Sequence, residues 1–297
     1  MTNAFERAVT ARSWLFVPGD QPKKMEKAFN SEADIVLIDL EDAVAEAEKA
    51  AARSVVRDFI ANAGAGRARL WVRINPIQGP HALADLAAVM PSRPGGIMLP
   101  KPRGRADVEL LDHYLSALEA ASGIPAGETR IIIVATETPE AMFATHSYAG
   151  ISRLAAMTWG AEDIATAIGA IGNRDSEGRY DFTYQLARSL CLTGAAVAGV
   201  SAIETIHGDF RDEAGLEKLL DEVRRAGFTG MLAIHPAQVT AINRAFTPSP
   251  AEIEHAQAIV AIFAANPGVG AIAYEGGMLD LPYLTRARAV LARAGQA

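Results

Sequence analysis

The chain has 297 residues, a normal size for one α/β barrel, and half of them are hydrophobic with few aromatics, so Ala, Val, Ile and Leu must fill the core. Its net charge of −7 leaves no electrostatic footprint for a general nucleic-acid role. A single cysteine, Cys191, excludes an intrachain disulfide framework and a cysteine zinc site. No apolar run approaches the ~20 residues that span a bilayer, and no signal-peptide h-region precedes the first strand. A soluble cytoplasmic protein is expected. Cys191, among Leu190, Leu192 and Ala195, reads as a core residue.

Eight apolar runs are short enough to be strands and continuous enough to be buried on both faces. They cover 14–17, 35–40, 70–74, 96–99, 131–135, 154–159, 202–206 and 231–234. Stretches with apolar residues at helical spacing lie between most of them, as at 46–61, 106–121 and 213–226. Alternating strand and helix predicts a parallel sheet, and eight such units in this length favour a closed (β/α)8 TIM barrel over an open doubly wound sheet. The sixth link is long: a short helix after Ala161, a polar excursion over 173–181 and a helix over 184–197. A helix from Ala237, a break at Pro248 and Pro250 and a further helix to about Ala265 follow the last strand. The expected organisation is a barrel over 1–247 and a C-terminal helical extension over 248–297, which folds over the barrel or reaches a neighbouring subunit.

Polar residues recur at one phase, just after the apolar runs, where barrel enzymes carry their active sites. The runs end in Asp39, Glu41 and Asp42, in Arg73 and Asn75, in Lys101, in Glu137, in Glu162 and Asp163, and in His235, while the seventh contains Glu204 and Thr205. A barrel gathers these into one ring. The ring is rich in carboxylates and has no Cys or His pair, a donor set that suits a hard cation such as Mg2+. Glu137 and Asp163, on consecutive units, are the candidate metal pair. The competing reading is that such acids cap the helices that follow, and for Asp42 and Asp163 the position fits. Arg73 at the end of a buried strand must be paired, either with a structural acid such as Asp39 or Glu41 or with a substrate carboxylate. Lys101, between two prolines, reads as an ion-pair partner rather than a Schiff-base lysine, and His235 before Pro236 reads as structural. No glycine-rich nucleotide loop is present; Gly169 and Gly172 run into a polar loop.

The segments SWLFVPGD, DIVLIDLEDAV, LWVRINP, IMLPK, VATETPEAM, WGAEDIA, GFTGMLAIHPAQVTAIN and FTPSPAEIEHA, in order along nearly the whole chain, resemble the citrate lyase β-subunit family of the aldolase/citrate lyase superfamily. The resemblance implies a Mg2+-dependent barrel forming homotrimers or larger homo-oligomers, which cleaves or forms a carbon–carbon bond in citryl, citramalyl or malyl thioesters. It implies Glu137 and Asp163 as metal ligands and Arg73 as a substrate ligand near the metal. The C-terminal YEGGMLDLPYLTRARAVL is similar to a family tail whose Asp reaches a neighbouring subunit's site; that residue is Asp280, otherwise a solvated tail residue or a helix cap. Gly276, Gly277, Met278 and Leu279 precede it, whereas a basic residue is expected before Met278.

On this reading Arg73 stabilises the enolate oxygen or holds the carboxylate, Glu41 and Asp42 orient Arg73 or metal-bound water, and Lys101 lies against the substrate. Asp280 moves the proton. Lys23, Lys24, Lys27 and Arg53, near the first two strand ends, offer a basic groove for the phosphates of an acyl-CoA, or else form an ordinary solvated face. The leading expectation is a lyase acting on a free CoA thioester. The alternatives are a β subunit of a citrate lyase complex working on a carrier-protein thioester, a malyl-CoA-type thioester hydrolase, and a barrel that only binds the thioester. A relative that uses a metal-bound His base is disfavoured, because Asp39, Glu41 and Asp42 stand after the second strand instead.

Overall fold

The computed structural model describes residues 10–274 and 277–296. The chain falls into two compact units, Met1–Asn243 and Arg244–Ala297. In the first, eight parallel strands close into a barrel: β1 (Ser13–Pro18), β2 (Ile35–Asp39), β3 (Leu70–Arg73), β4 (Gly96–Leu99), β5 (Arg130–Val134), β6 (Leu154–Thr158), β7 (Ser201–Glu204) and β8 (Gly230–Ala233). Each strand is bonded to the next and β8 to β1. Every residue of β2, β4, β6, β7 and β8 is buried, the signature of a sheet covered on both faces. The barrel interior is filled by Trp14, Leu37, Trp71, Met98, Ile132 and Ile203, among others, with Trp14 and Trp71 meeting edge to face at 5.1 Å. Gly96 is a glycine because the Trp71 ring lies where a Cβ would stand.

Several strands stop one or two residues short of their apolar runs. Leu40, Ile74 and Ala135 continue the hydrogen bonding, donating to the carbonyls of Arg73 (2.9 Å), Met98 (3.2 Å) and Thr158 (2.7 Å). Their apolar character therefore marks the barrel rim, where the chain turns toward the loops. Helices α1 (Pro22–Phe29), α2 (Lys49–Asn62), α3 (Ala82–Val89), α4 (Arg105–Ser122), α5 (Pro139–Met142), α6 (Glu162–Ala167), α7 (Phe182–Ala198) and α8 (Glu213–Ala226) separate the strands. The predicted helix over 46–61 begins as a 3-10 turn, Glu46–Glu48, before α2. No described helix is long and apolar enough to cross a membrane.

The division between the units falls inside α9 (Pro236–Phe246). The second unit contains α10 (Pro250–Ala265), which starts with a Ser249–Glu252 capping box and Pro250 at its first position. The extension is not wholly helical: β9 (Ala271–Tyr274) and β10 (Gly277–Asp280) form an antiparallel hairpin ahead of α11 (Leu281–Arg293). Phe263, Ile259, Leu279 and Leu291 are among the residues of its own small core. Periodicity misses the hairpin because its strands are four residues long and half-exposed.

Candidate active site

The carboxyl ends of the strands surround a cavity of about 500 Å³, bordered by Asp39 at the end of β2, Asp42 in the turn after it, Arg73, Glu137, and Glu162 and Asp163 in the first turn of α6. The β2 turn is bound on every side. Asp39 accepts the N–H of Glu41 on Oδ1 (2.9 Å) and of Ala43 on Oδ2 (3.0 Å). The same two oxygens take a bidentate pair from Arg73, Nε at 2.7 Å and Nη2 at 2.6 Å. Burial works against charge on Asp39, but Arg73 outweighs it and holds the carboxyl below its ordinary value. Arg73 Nη1 lies 2.9 Å from Glu41 Oε2 and 3.5 Å from Asp42. Of the partners the sequence allows for Arg73, the fold supplies the acids; its guanidinium also lies 4.9 Å from the centroid of the Phe16 ring.

Glu41 is buried and lies 2.5 Å from Lys101 Nζ. Burial pushes its pKa up to about 7 even against the two cations, with Asp42 adding to the rise. Glu137, 5 % exposed, accepts the N–H of Lys101 on Oε2 (2.8 Å) and packs over Gly160, where a Cβ would stand 3.1 Å from Glu137 Oε1. Burial, then the neighbouring charges of Asp163 and Glu41, push Glu137 up to about 8. Asp163 pairs with Lys101 Nζ at 3.1 Å, so although it sits in the first turn of α6 its carboxylate is turned to the ring. Asp42 is 59 % exposed and the residues after it form a turn, not a helix that it caps. Lys101 forms the ion pairs expected of it, with a left-handed backbone (φ 52°).

Of the surrounding residues, Lys49, Asp85, Arg188 and Tyr180 are absent from the sequence reading. Lys49, on α2, is buried and donates to the carbonyls of Leu40 (3.0 Å) and Glu41 (2.9 Å), gripping the acidic turn from behind. Asn75 donates to Leu40 O (2.9 Å) and to Asp85 (2.7 Å). Arg53 departs from the expected phosphate groove: its guanidinium is engaged by the fully buried Asp85 (2.7 Å) and by His81 (2.9 Å), because that carboxylate needs a cation. Lys23, Lys24 and Lys27 are exposed on α1. Glu204 accepts from Trp159 Nε1 (2.5 Å) and Arg188 Nε (2.6 Å), fixing Trp159 in the cavity wall. Tyr180, at the end of the polar excursion, meets Trp159 edge to face at 5.1 Å. A lone tyrosine closing a polar stretch is the signal that could have found it. His235 is structural: Nδ1 accepts the N–H of Ala237 (3.2 Å) and the ring stacks on Phe210 at 4.4 Å. Asp280 belongs to the second unit, at the cap position of α11 without a capping bond, and its Oδ1 is buried with no hydrogen-bond partner among the described residues.

A closed eight-stranded parallel barrel with convergent carboxylates, one arginine and one lysine at the carboxyl ends of its strands has the architecture of a barrel enzyme, with its polar residues where such enzymes carry their active sites. The chain belongs to the HpcH/HpaI aldolase/citrate lyase family, whose model matches residues 12–236. It is 34 % identical over 284 residues to the citrate lyase subunit beta-like protein of Mycobacterium tuberculosis, covering 96 % of each chain. It is 32 % identical over 285 residues to a (3S)-malyl-CoA thioesterase of Cereibacter sphaeroides, covering 95 % of this chain and 94 % of that one. The crystal structure of CitE from M. tuberculosis in complex with magnesium, acetoacetate and coenzyme A superposes with a TM-score of 0.76 at 31 % identity, covering 97 % of this chain and 99 % of that one.

Proposed function

We propose that this protein is a Mg2+-dependent carbon–carbon lyase that cleaves or forms a 3-hydroxy-acyl-CoA thioester of the malyl, citramalyl or citryl type. The observation that carries the reading is the pair of carboxylates, Glu137 and Asp163, gathered at one cavity with Arg73. Glu137 fits a cation: it is a buried carboxylate disfavoured by two like charges, and a hard cation relieves all three. Two protein carboxylates with remaining positions for water and substrate suit Mg2+, the ion in the M. tuberculosis complex. When bound, Mg2+ supplies Lewis acidity to the substrate hydroxyl and its adjacent carboxylate.

Cleavage breaks the bond between the carbinol carbon and the α-carbon. The hydroxyl proton leaves as the carbonyl forms, the bonding pair passes into the thioester enolate, and a proton then returns to the α-carbon. Arg73 stabilises the enolate oxygen, its plane set by the bidentate bond to Asp39. Glu41 and Asp42 hold Arg73 and Lys101 in place. Asp280, from a neighbouring copy in a homotrimer or larger homo-oligomer, shuttles the proton; its uncapped, buried Oδ1 supports a role other than helix capping. Lys23, Lys24 and Lys27 receive the CoA phosphates, and the enzyme works in the cytoplasm.

The test is an assay of the purified chain with Mg2+ and malyl-, citramalyl- and citryl-CoA, following released oxo-acid and free thiol. Oxo-acid without thiol, abolished by EDTA, is the expected result. Thiol release moves the assignment to a hydrolase, the reading that the C. sphaeroides relative favours. No turnover of any ester points to a carrier-protein thioester and a partner subunit.

Metal binding is also expected to release about one proton at pH 7, because Glu137 holds a proton up to about 8 and must lose it to ligate. Titration calorimetry in buffers of different ionisation enthalpy measures this. Binding heats that do not vary with the buffer would refute it.

A further inference from the structure

Lys101 stands out as a non-glycine residue in the left-handed region (φ 52°), and it precedes Pro102, a position that normally forces extended backbone. Such strain persists where surrounding bonds over-determine it, and it clusters at functional sites. Here the bonds are visible. The strained backbone aims the Lys101 N–H at Glu137 Oε2 (2.8 Å), while the side chain reaches Glu41 Oε1 (2.5 Å), Asp163 Oδ1 (3.1 Å) and Asp42 Oδ2 (3.7 Å). One residue therefore touches both carboxylates of the candidate metal pair, with its ammonium on Asp163. A side chain 24 % exposed retains room to move.

We propose that Lys101 is the site's internal counter-cation: its ammonium holds Asp163 until a divalent ion takes that carboxylate, and then turns to the anionic oxo-acid portion of the substrate. This rests on the Mg2+ reading above and extends it. A cation within about 4 Å of a ligand opposes metal entry, and the same charge, once released, attracts an anion. Glu41 keeps hold of the ammonium throughout, so the movement is a pivot about that bond rather than an escape to solvent.

The consequence is a pair of opposite effects. Lys101→Met is expected to tighten Mg2+ binding about tenfold in the absence of substrate, and to weaken binding of pyruvate to the Mg2+-loaded protein about tenfold. Lys101→Arg, which retains the charge, is expected to change both by much less. Titration calorimetry of wild type and variants with Mg2+ alone, and then with pyruvate at saturating Mg2+, gives both numbers without turnover. Lys101→Gln serves as a second neutral variant, and far-ultraviolet circular dichroism checks the fold. A merely structural lysine predicts that both affinities fall together, and an uninvolved one that neither moves; either result overturns the proposal. Should wild type bind Mg2+ while the neutral variants bind it no tighter, the counter-cation role fails and the metal reading stands. If no protein binds Mg2+ at all, both fail.

Discussion

Glu137→Gln is expected to lower kcat/KM for oxo-acid release by about a thousandfold, because it removes one of two protein carboxylates proposed to hold the metal. The same substitution is expected to leave the metal-free protein at least as stable as wild type. Stability rises with pH wherever the unfolded chain binds more protons, and falls where the native state binds more. Burial, Asp163 and Glu41 raise native Glu137 from 4.5 to about 8. The native state therefore holds the extra proton between those values, so the fold loses stability progressively as pH rises from about 4.5 to about 8. Glutamine keeps the shape and an oxygen to accept from Lys101 N–H, but carries no charge. Melting in EDTA should accordingly show the variant matching wild type at pH 5 and exceeding it at pH 8. Activity above a tenth of wild type, or a variant less stable than wild type at pH 8, would sink the assignment.

The largest loss of stability is expected from the opposite end of the barrel. Arg153, immediately before β6, donates to Glu119 through Nη1 and Nη2, each at 2.7 Å, to Ser116 Oγ (2.9 Å) and to Asp112. Glu119 is fully buried and also accepts the N–H groups of Gly127 and Thr129, each at 2.8 Å. Removing one partner of a buried pair leaves the other charge uncompensated, a cost of about 3–5 kcal/mol. Arg153→Met should lose that much in urea unfolding, and the double variant Arg153→Met/Glu119→Gln should recover part of it. The amino-terminal rim of such barrels serves stability rather than catalysis, so activity per folded molecule should be unchanged. A loss below 1 kcal/mol would show that the pair is dispensable.

Local pattern was sufficient for the barrel and for the positions of its acids. A parallel strand buried on both faces must be a continuous apolar run, and the point where the run stops is the rim; hence 96–99 and 213–226 coincide with β4 and α8. The same rule located Asp39, Glu41, Arg73, Lys101, Glu137 and Asp163 at one face. Pairing among these residues depended on tertiary structure. Arg73 reaches Asp39 across 34 positions and Lys101 reaches Glu41 across 60, and no local periodicity encodes which of several rim acids a cation meets. Burial of long polar side chains was likewise hidden. Lys49 and Arg53 stand on α2 like surface charges, yet the turn carbonyls of Leu40 and Glu41 bind one and buried Asp85 binds the other. The reason is physical: hydrophobic periodicity records which face of an element leaves water, whereas the partner of a buried polar group is chosen only when separate elements close around it.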